Sequence, residues 1–384
     1  HNCYMPVKEL YIKQNTLNSI SNENIFQKSI QLQDFITQKQ PISPYYFRYF
    51  IEKNVTNLFM NYRSLLPNRN FTEYYNLLPY HANGIPKRDI DYRDLLKIDN
   101  VNIKHFSSFL NHGDKHEKET GPFLLKSSNG PTKIEETRKK KFTLIYGIGT
   151  CNPSPYLLRE IKAFSHDDVA IIINIDNKAN RTIFYDLFSQ EKNNPKFENV
   201  YFIDSPRFLA NWGQITQAFI QIVITQASLK YFPDSLYISF HSESDYPIVP
   251  NDCIINYMKK NYPNNYLEKD SSRSKKPRKH DFRLFFESYA NIPRRSIIKM
   301  VRTLFPVKVI PKASWTNGWN WYTMTLKDTK VMIEYLFDRF DIIDSLEHVL
   351  HADEIVFLSL ANGAKISYTN QFHRYVDWRT KGAH

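Results

Sequence analysis

The run Val169–Ile175, VAIIINI, restricts the fold of this chain more than any other stretch. It is an almost unbroken series of β-branched residues with no apolar-polar alternation, the pattern of a strand buried on both faces as in parallel sheets. Its neighbours repeat the theme. Phe142–Ile148 reads as a buried strand and Leu157–Phe164 as a helix. Asn199–Ile203 is a second short strand, Trp212–Tyr231 a long helix, and Ser235–Phe240 a further strand. Strand and helix segments in this order predict an α/β domain on a mostly parallel sheet flanked by helices. Ligands of such sheets sit beyond the carboxyl ends of the strands. Asp176 and the segment Ser242–Asp245 fall there.

The rest of the chain has a different character. Residues 1–110 are polar and aromatic, with helical spacing at Ile25, Phe26, Ile30, Phe35 and Ile36, and read as a mainly helical or irregular, stem-like N-terminal region. Residues 111–141 (HGDKHEKETG, KSSNGP, EETRKKK) read as a polar linker, and 142–384 as the principal domain. At 384 residues, with 42% hydrophobic and 23% charged, the chain is neither wholly disordered nor a membrane bundle. Its most apolar stretches fall far short of the roughly 20 residues that a spanning helix needs. Gly numbers only 10, which argues against propellers and Gly-rich phosphate loops.

The chain opens on His1 without a signal segment, which reads as an internal fragment or a processed chain. Cys3, Cys151 and Cys253 form neither a disulfide framework nor a zinc motif and read as ordinary semi-buried thiols. The formal charge is +12, and most of it lies between Ser271 and Lys312, where basic residues including Lys276 and Lys279 face only Asp281 and Glu287. Such a field attracts anions: phosphates, nucleotide sugars, nucleic acid or anionic lipid. No recognised nucleic-acid module accompanies it, so nucleic acid is not expected as a partner.

Asp176 closes the strand AIIINID, where a carboxylate can accept hydrogen bonds from a ribose or a base. Lys178, just beyond, can face a phosphate. The tip SESDYP follows the strand LYISF and His241 and crowds Ser242, Glu243, Ser244 and Asp245 together. Alone, Glu243 and Asp245 also read as a metal-ligand pair.

The order of these features resembles one family. A strand ending in Asp, then Trp212-Gly213 opening a long helix, then a strand ending S-x-x-D-Y-P is similar to the core-2/I-branching β-1,6-N-acetylglucosaminyltransferases and their peptide O-xylosyltransferase relatives. Asn264-Asn265-Tyr266-Leu267-Glu268 resembles the family's acceptor-contacting segment, and Asn317 to Tyr322 its Gly-x-x-Trp block. Ala352-Asp353-Glu354 resembles the acidic pair that opens a helix, and Arg374 to Trp378 the late Tyr-Ile-Asp-Trp. The likeness runs from about Phe142 to the end.

The resemblance implies a GT-A-like fold and an inverting glycosyltransferase. Its donor is a UDP-sugar, its acceptor a glycan or glycoprotein, and it needs no cofactor. N-acetylglucosamine is the expected sugar; xylose transfer and a non-catalytic, glycan-binding relative are the alternatives. Glu354 takes the general base's role, behind Asp353 as helix cap. Asp176, Lys178, Ser242, Asp245, Trp378, Arg379 and Lys381 fall to the nucleotide sugar. Glu268, Lys276, Lys279, Trp319 and Trp321 fall to the acceptor, although Trp212, Trp319, Trp321 and Trp378 can equally be core. Mn²⁺ is not expected to be required, because Lys and Arg can stabilise a departing diphosphate. The strict Asp-x-Asp, Asp89-Ile90-Asp91, lies in the N-terminal region rather than at a strand end. The family's diphosphate-binding Arg and Lys come after its Asp-Trp block, so either the chain is truncated at His384 or Arg379 and Lys381 serve instead. The implied setting is the Golgi lumen, with membrane attachment only through an N-terminal anchor outside this chain. The family's Gly in the S-x-x-D-Y-P block is Glu243 here.

Overall fold

The computed structural model describes residues 91–111, 123–124, 140–177, 179–208, 210, 213–269, 313–347, 349, 351–371 and 373–376. The described strands are β1 (Asn102–His105), β2 (Phe123–Leu124), β3 (Leu144–Thr150), β4 (Val169–Ile175), β5 (Val200–Ser205), β6 (Arg207–Phe208), β7 (Tyr237–Ser242) and β8 (Thr323–Thr325). A six-stranded sheet runs in the order β1-β5-β4-β3-β7-β8. The inner strands β5, β4, β3 and β7 are parallel, and β1 and β8 close the edges antiparallel. The domain is therefore α/β with a mixed, mostly parallel sheet. Every residue of β4 is buried, as its continuous apolar run requires.

Helices cover both faces. On one face lies Ile215–Tyr231, which is apolar on nearly every side because it sits between the sheet and the helices Leu326–Asp338 and Asp353–Gly363. Gly147 and Gly149 of β3 face this helix. A Cβ on Gly147 would lie 2.8 Å from Ile224 Cγ2, so bare backbone lets the helix settle onto the strand. On the other face pack Phe106–Asn111, Pro155–Phe164, Arg181–Ser189 and Asn251–Asn261, around an aromatic group in which Phe109 stacks on Phe202 at 3.9 Å. Pro155–Phe164 begins where the sequence can start a helix: the Ser154 side chain accepts from Tyr156 N, and Pro155 occupies the first turn.

The strands and helices expected between Phe142 and Phe240 are present, with ends displaced by at most three residues. One difference is larger. β1 lies within the span read as the N-terminal region, yet it joins the sheet edge, and Tyr92, Leu96 and Val101 enter the main core. Asn102–His105 is too short to announce itself as a strand, and only its pairing with β5 makes it one. The reading of residues 1–90 and most of 112–139 lies outside the described residues. Two further expectations are corrected. Cys151 is disulfide-bonded rather than a thiol, while Cys253 is free and exposed. Among the described residues, no helix is long and apolar enough to cross a membrane.

Chain order sets the position of the crevice. From β3 the chain steps outward to β4 and β5, then crosses back to β7 on the other side of β3. The carboxyl ends of β3 and β7 therefore flank a topological switch point, where open α/β sheets bind ligands.

Candidate functional site

Thr150 ends β3 and Ser242 ends β7, and the Glu243 carboxylate reaches from the β7 turn to the β3 turn. Glu243 Oε2 accepts from the Thr150 hydroxyl, from Cys151 N at 2.9 Å and from Asn152 N at 3.1 Å. Hydrogen bonds to a charged group are worth about 1.5–3 kcal/mol each, so this side chain is firmly held. Asp245 closes the same turn: it accepts from Ser242 N at 3.2 Å and from Ser242 Oγ at 2.9 Å. Asp245 is thus committed to protein donors through both oxygens, and Glu243 through Oε2.

Beneath the turn lies a buried polar chain. Arg374 Nη2 donates to Ser239 Oγ at 2.9 Å, to Phe240 O at 3.0 Å and to His241 Nε2 at 2.9 Å. Because Nε2 accepts, the imidazole proton belongs on Nδ1, which lies 3.2 Å from Asp245 Oδ2. Burial, and then the Arg374 charge, bring the His241 pKa down to about 4, so the ring is neutral. Burial works to raise Asp245, but His241, Arg374 and Ser242 outweigh it and hold that carboxyl below its usual range. Glu160 completes the cluster. Both of its oxygens are buried without a hydrogen-bond partner, and burial together with Asp245 and Glu243 pushes its pKa up to about 10. It is a neutral acid in the second turn of its helix. Burial likewise raises the Tyr146 hydroxyl, whose ring meets His241 edge-on at 4.8 Å.

A second set of groups gathers at the same edge of the sheet. Asp176 is buried after β4; its amide donates to Thr150 O at 2.8 Å, and its Oδ2 accepts from Ala210 N at 3.2 Å. Three residues further on, Gly213 O accepts from Ala352 N at 3.2 Å, which ties Gly213 to the start of helix Asp353–Gly363. Ala352, not Asp353, is the N-cap of that helix, and it makes no side-chain cap bond. The expected capping role of Asp353 is therefore corrected. Its side chain turns inward instead: Oδ2 accepts from Asn320 Nδ2 at 2.9 Å, and Oδ1 is buried without a hydrogen-bond partner. Burial, and then the Glu354 charge, push the Asp353 pKa up to about 7. Glu354 is half-buried, with Oε1 3.9 Å from Nδ1 of His351, whose φ is 61°. Glu354 O accepts from Gly318 N at 2.9 Å, and Glu268 O accepts from Trp319 N at 3.1 Å. Trp319 and Trp321 are half-buried and nearly parallel, 6.0 Å apart.

No family model matches this chain, and no curated protein matches it.

The structure brings together several residues singled out from sequence. Ser242 and Asp245 share one turn, Glu268 and Trp319 share one hydrogen bond, and Gly318 links that pair to Glu354. Asp176 accepts from Ala210 N, and Gly213 O accepts from Ala352 N just ahead of the helix of Glu354. Lys178, Trp212, Lys276, Lys279, Trp378, Arg379 and Lys381 lie outside the described residues, as does the basic window beyond Lys269. Sequence reasoning missed Thr150, Glu160, His241, Asn320 and the inward role of Arg374. A signal for Glu160 existed: it falls on the face shared by Leu157, Ile161 and Phe164, which are buried.

Proposed function

We propose that this chain is an inverting glycosyltransferase with a GT-A-like fold. It moves a sugar, N-acetylglucosamine in the first instance, from a UDP-sugar to a glycan hydroxyl, and needs no metal. The observation that carries the reading is the junction at Gly318. It fastens the first turn of the helix bearing Glu354 to the segment bearing Glu268 and Trp319, at the sheet edge that also holds Asp176. Glu268, Gly318 and Glu354 lie far apart in sequence, and their junction supports an acceptor site beside a base.

In this mechanism the nucleotide lies against the carboxyl ends of β3, β4 and β7, with Asp176 accepting from the base or ribose. The acceptor lies on the side of Glu268, Trp319 and Trp321, where an indole face can carry a sugar ring. Glu354 takes the proton of the acceptor hydroxyl as that oxygen attacks the anomeric carbon and the bond to UDP breaks. A positioned base contributes about 10²–10⁴-fold. Asp353 and Glu354 divide the labour of two adjacent acids: burial keeps Asp353 partly protonated near neutral pH, which spares Glu354 a second full negative charge beside it. The charge growing on the departing diphosphate falls to basic side chains of the chain's positive excess. A lumenal, secretory setting suits this activity and the disulfide at Cys151.

The test is transfer from radiolabelled UDP-N-acetylglucosamine and UDP-xylose to a panel of glycan and glycoprotein acceptors, with and without EDTA. Product with either donor that survives EDTA supports the reading. UDP binding with no product from any donor would make the chain a non-catalytic, glycan-binding relative. Activity lost with EDTA and restored by Mn²⁺ would overturn the metal-independent mechanism.

A further inference from the structure

Glu243 has one oxygen fully engaged and the other unused. Oε2 receives the Thr150 hydroxyl and the amides of Cys151 and Asn152, whereas Oε1 receives no donor from the described residues. The side chain is half-buried, at the point where the carboxyl ends of β3 and β7 flank the switch-point crevice. Three donors on Oε2 hold the carboxylate in place, so Oε1 is an acceptor already positioned at the carboxyl ends of β3 and β7. Among the described residues, two further acids lie nearby, with the buried Arg374 beneath them. Asp245 belongs to the same turn, and Glu160, buried with neither oxygen partnered, lies within electrostatic reach of both Glu243 and Asp245.

We infer that Glu243 is a specificity-determining residue that reads a vicinal diol of the nucleotide-sugar donor. The neutral, hydroxyl-bearing part of the donor occupies the crevice between β3 and β7, and the diphosphate is directed away from it. A phosphate placed here would meet a fixed carboxylate at hydrogen-bond range, with Asp245 behind it, and like charges in a partly desolvated crevice repel strongly. Hydroxyl donors face the opposite balance, because an ionised acceptor makes the stronger, shorter hydrogen bonds. The diol can be that of the ribose or that of the transferred sugar, which carry the same chemistry. The inference rests on the nucleotide-sugar reading and adds to it the part of the donor that this crevice holds.

The variant that isolates the effect is Glu243→Gln. Its carbonyl oxygen can stay on the three donors of residues 150–152, which turns the amide nitrogen toward the crevice and replaces an acceptor with a donor. Calorimetric titration of wild type, Glu243→Gln and Glu243→Ala would use UDP, uridine, 2′-deoxyuridine, N-acetylglucosamine and inorganic phosphate. Thermal melts would confirm that the Gln variant is folded. Expected is a loss of about ten-fold or more in the affinity of Glu243→Gln for uridine, with its preference over 2′-deoxyuridine abolished. If the loss appears with N-acetylglucosamine instead, the diol is that of the sugar and the inference stands. If wild type binds UDP and folded Glu243→Gln binds every probe equally well, the inference fails while the nucleotide-sugar reading survives. Tighter phosphate or UDP binding by Glu243→Ala would also overturn it, since the three donors would then form an anion site that Glu243 merely blocks. A wild type that binds none of the probes overturns both.

Discussion

Gly318 N donates to Glu354 O at 2.9 Å, and this bond joins the residue proposed as base to the segment proposed to hold the acceptor. The junction tolerates no side chain. A Cβ on Gly318 would stand 2.7 Å from Glu268 O and 2.7 Å from Leu358 Cδ2. One contact is backbone and the other is a buried leucine, so neither yields easily.

Gly318→Ala is therefore expected to lower stability by about 1–3 kcal/mol, the usual cost of forcing extra volume into packed surroundings. Transfer should fall as well, because the shift displaces Glu354 relative to Glu268. Urea unfolding gives the first quantity and initial rates the second. An unchanged midpoint would mean that the junction is looser than its distances imply.

The Arg374–His241–Asp245 chain makes a prediction about pH. The His241 pKa falls on folding from an ordinary 6.5 to about 4, so the unfolded chain takes up a proton before the native chain does. Stability contributed by this site is full above about 6.5 and is lost as pH falls toward 4. Arg374→Ala removes the donor to three acceptors and leaves a group of acids without its buried cation, a change that costs about 3–5 kcal/mol in comparable settings. It should also raise the His241 pKa, readable as the pH dependence of its imidazole resonances. A His241 titration that ignores the loss of Arg374 would contradict the arrangement.

Glu160 acts in the opposite direction. Its pKa rises on folding from 4.5 to about 10, so the native chain keeps a proton that the unfolded chain releases. Its contribution to stability therefore falls as pH climbs through that interval, with a limiting slope of about 1.4 kcal/mol per pH unit. Glu160→Gln removes the titration while keeping the shape. The variant should gain on wild type steadily between pH 5 and 8 in thermal melts. Parallel pH profiles would show that Glu160 is not the neutral acid described.

Much of the fold was legible because it rests on local pattern. The seven residues of β4 could be nothing but a doubly buried strand, and the apolar length of Ile215–Tyr231 announced a helix covered on most sides. β8 was not legible from local pattern: Thr323–Thr325 is a strand because Tyr237, Ile238 and Ser239 stand opposite. The site divides along the same line. Asp176, Ser242 and Asp245 could be placed from the strands they follow. The capture of Glu243 by the β3 turn, the burial of Asp353 and the reach of Arg374 to β7 are contacts between segments about 30 to 135 residues apart, which no periodicity encodes. The Asp353 error has a plain cause. Composition at a helix start favours an acid as cap, whereas here the chain arrives through His351 at positive φ and turns that acid inward.

The assignment of Glu354 as base meets its most direct test in one comparison: initial rates of sugar transfer by the full chain and by Glu354→Gln, with UDP affinity measured on both. Gln preserves shape and much of the hydrogen bonding but cannot take the acceptor's proton. Transfer is predicted to fall by about 10²-fold or more, with UDP affinity unchanged. Near-normal turnover by Glu354→Gln, or no transfer from any UDP-sugar by the wild-type chain, would contradict the account.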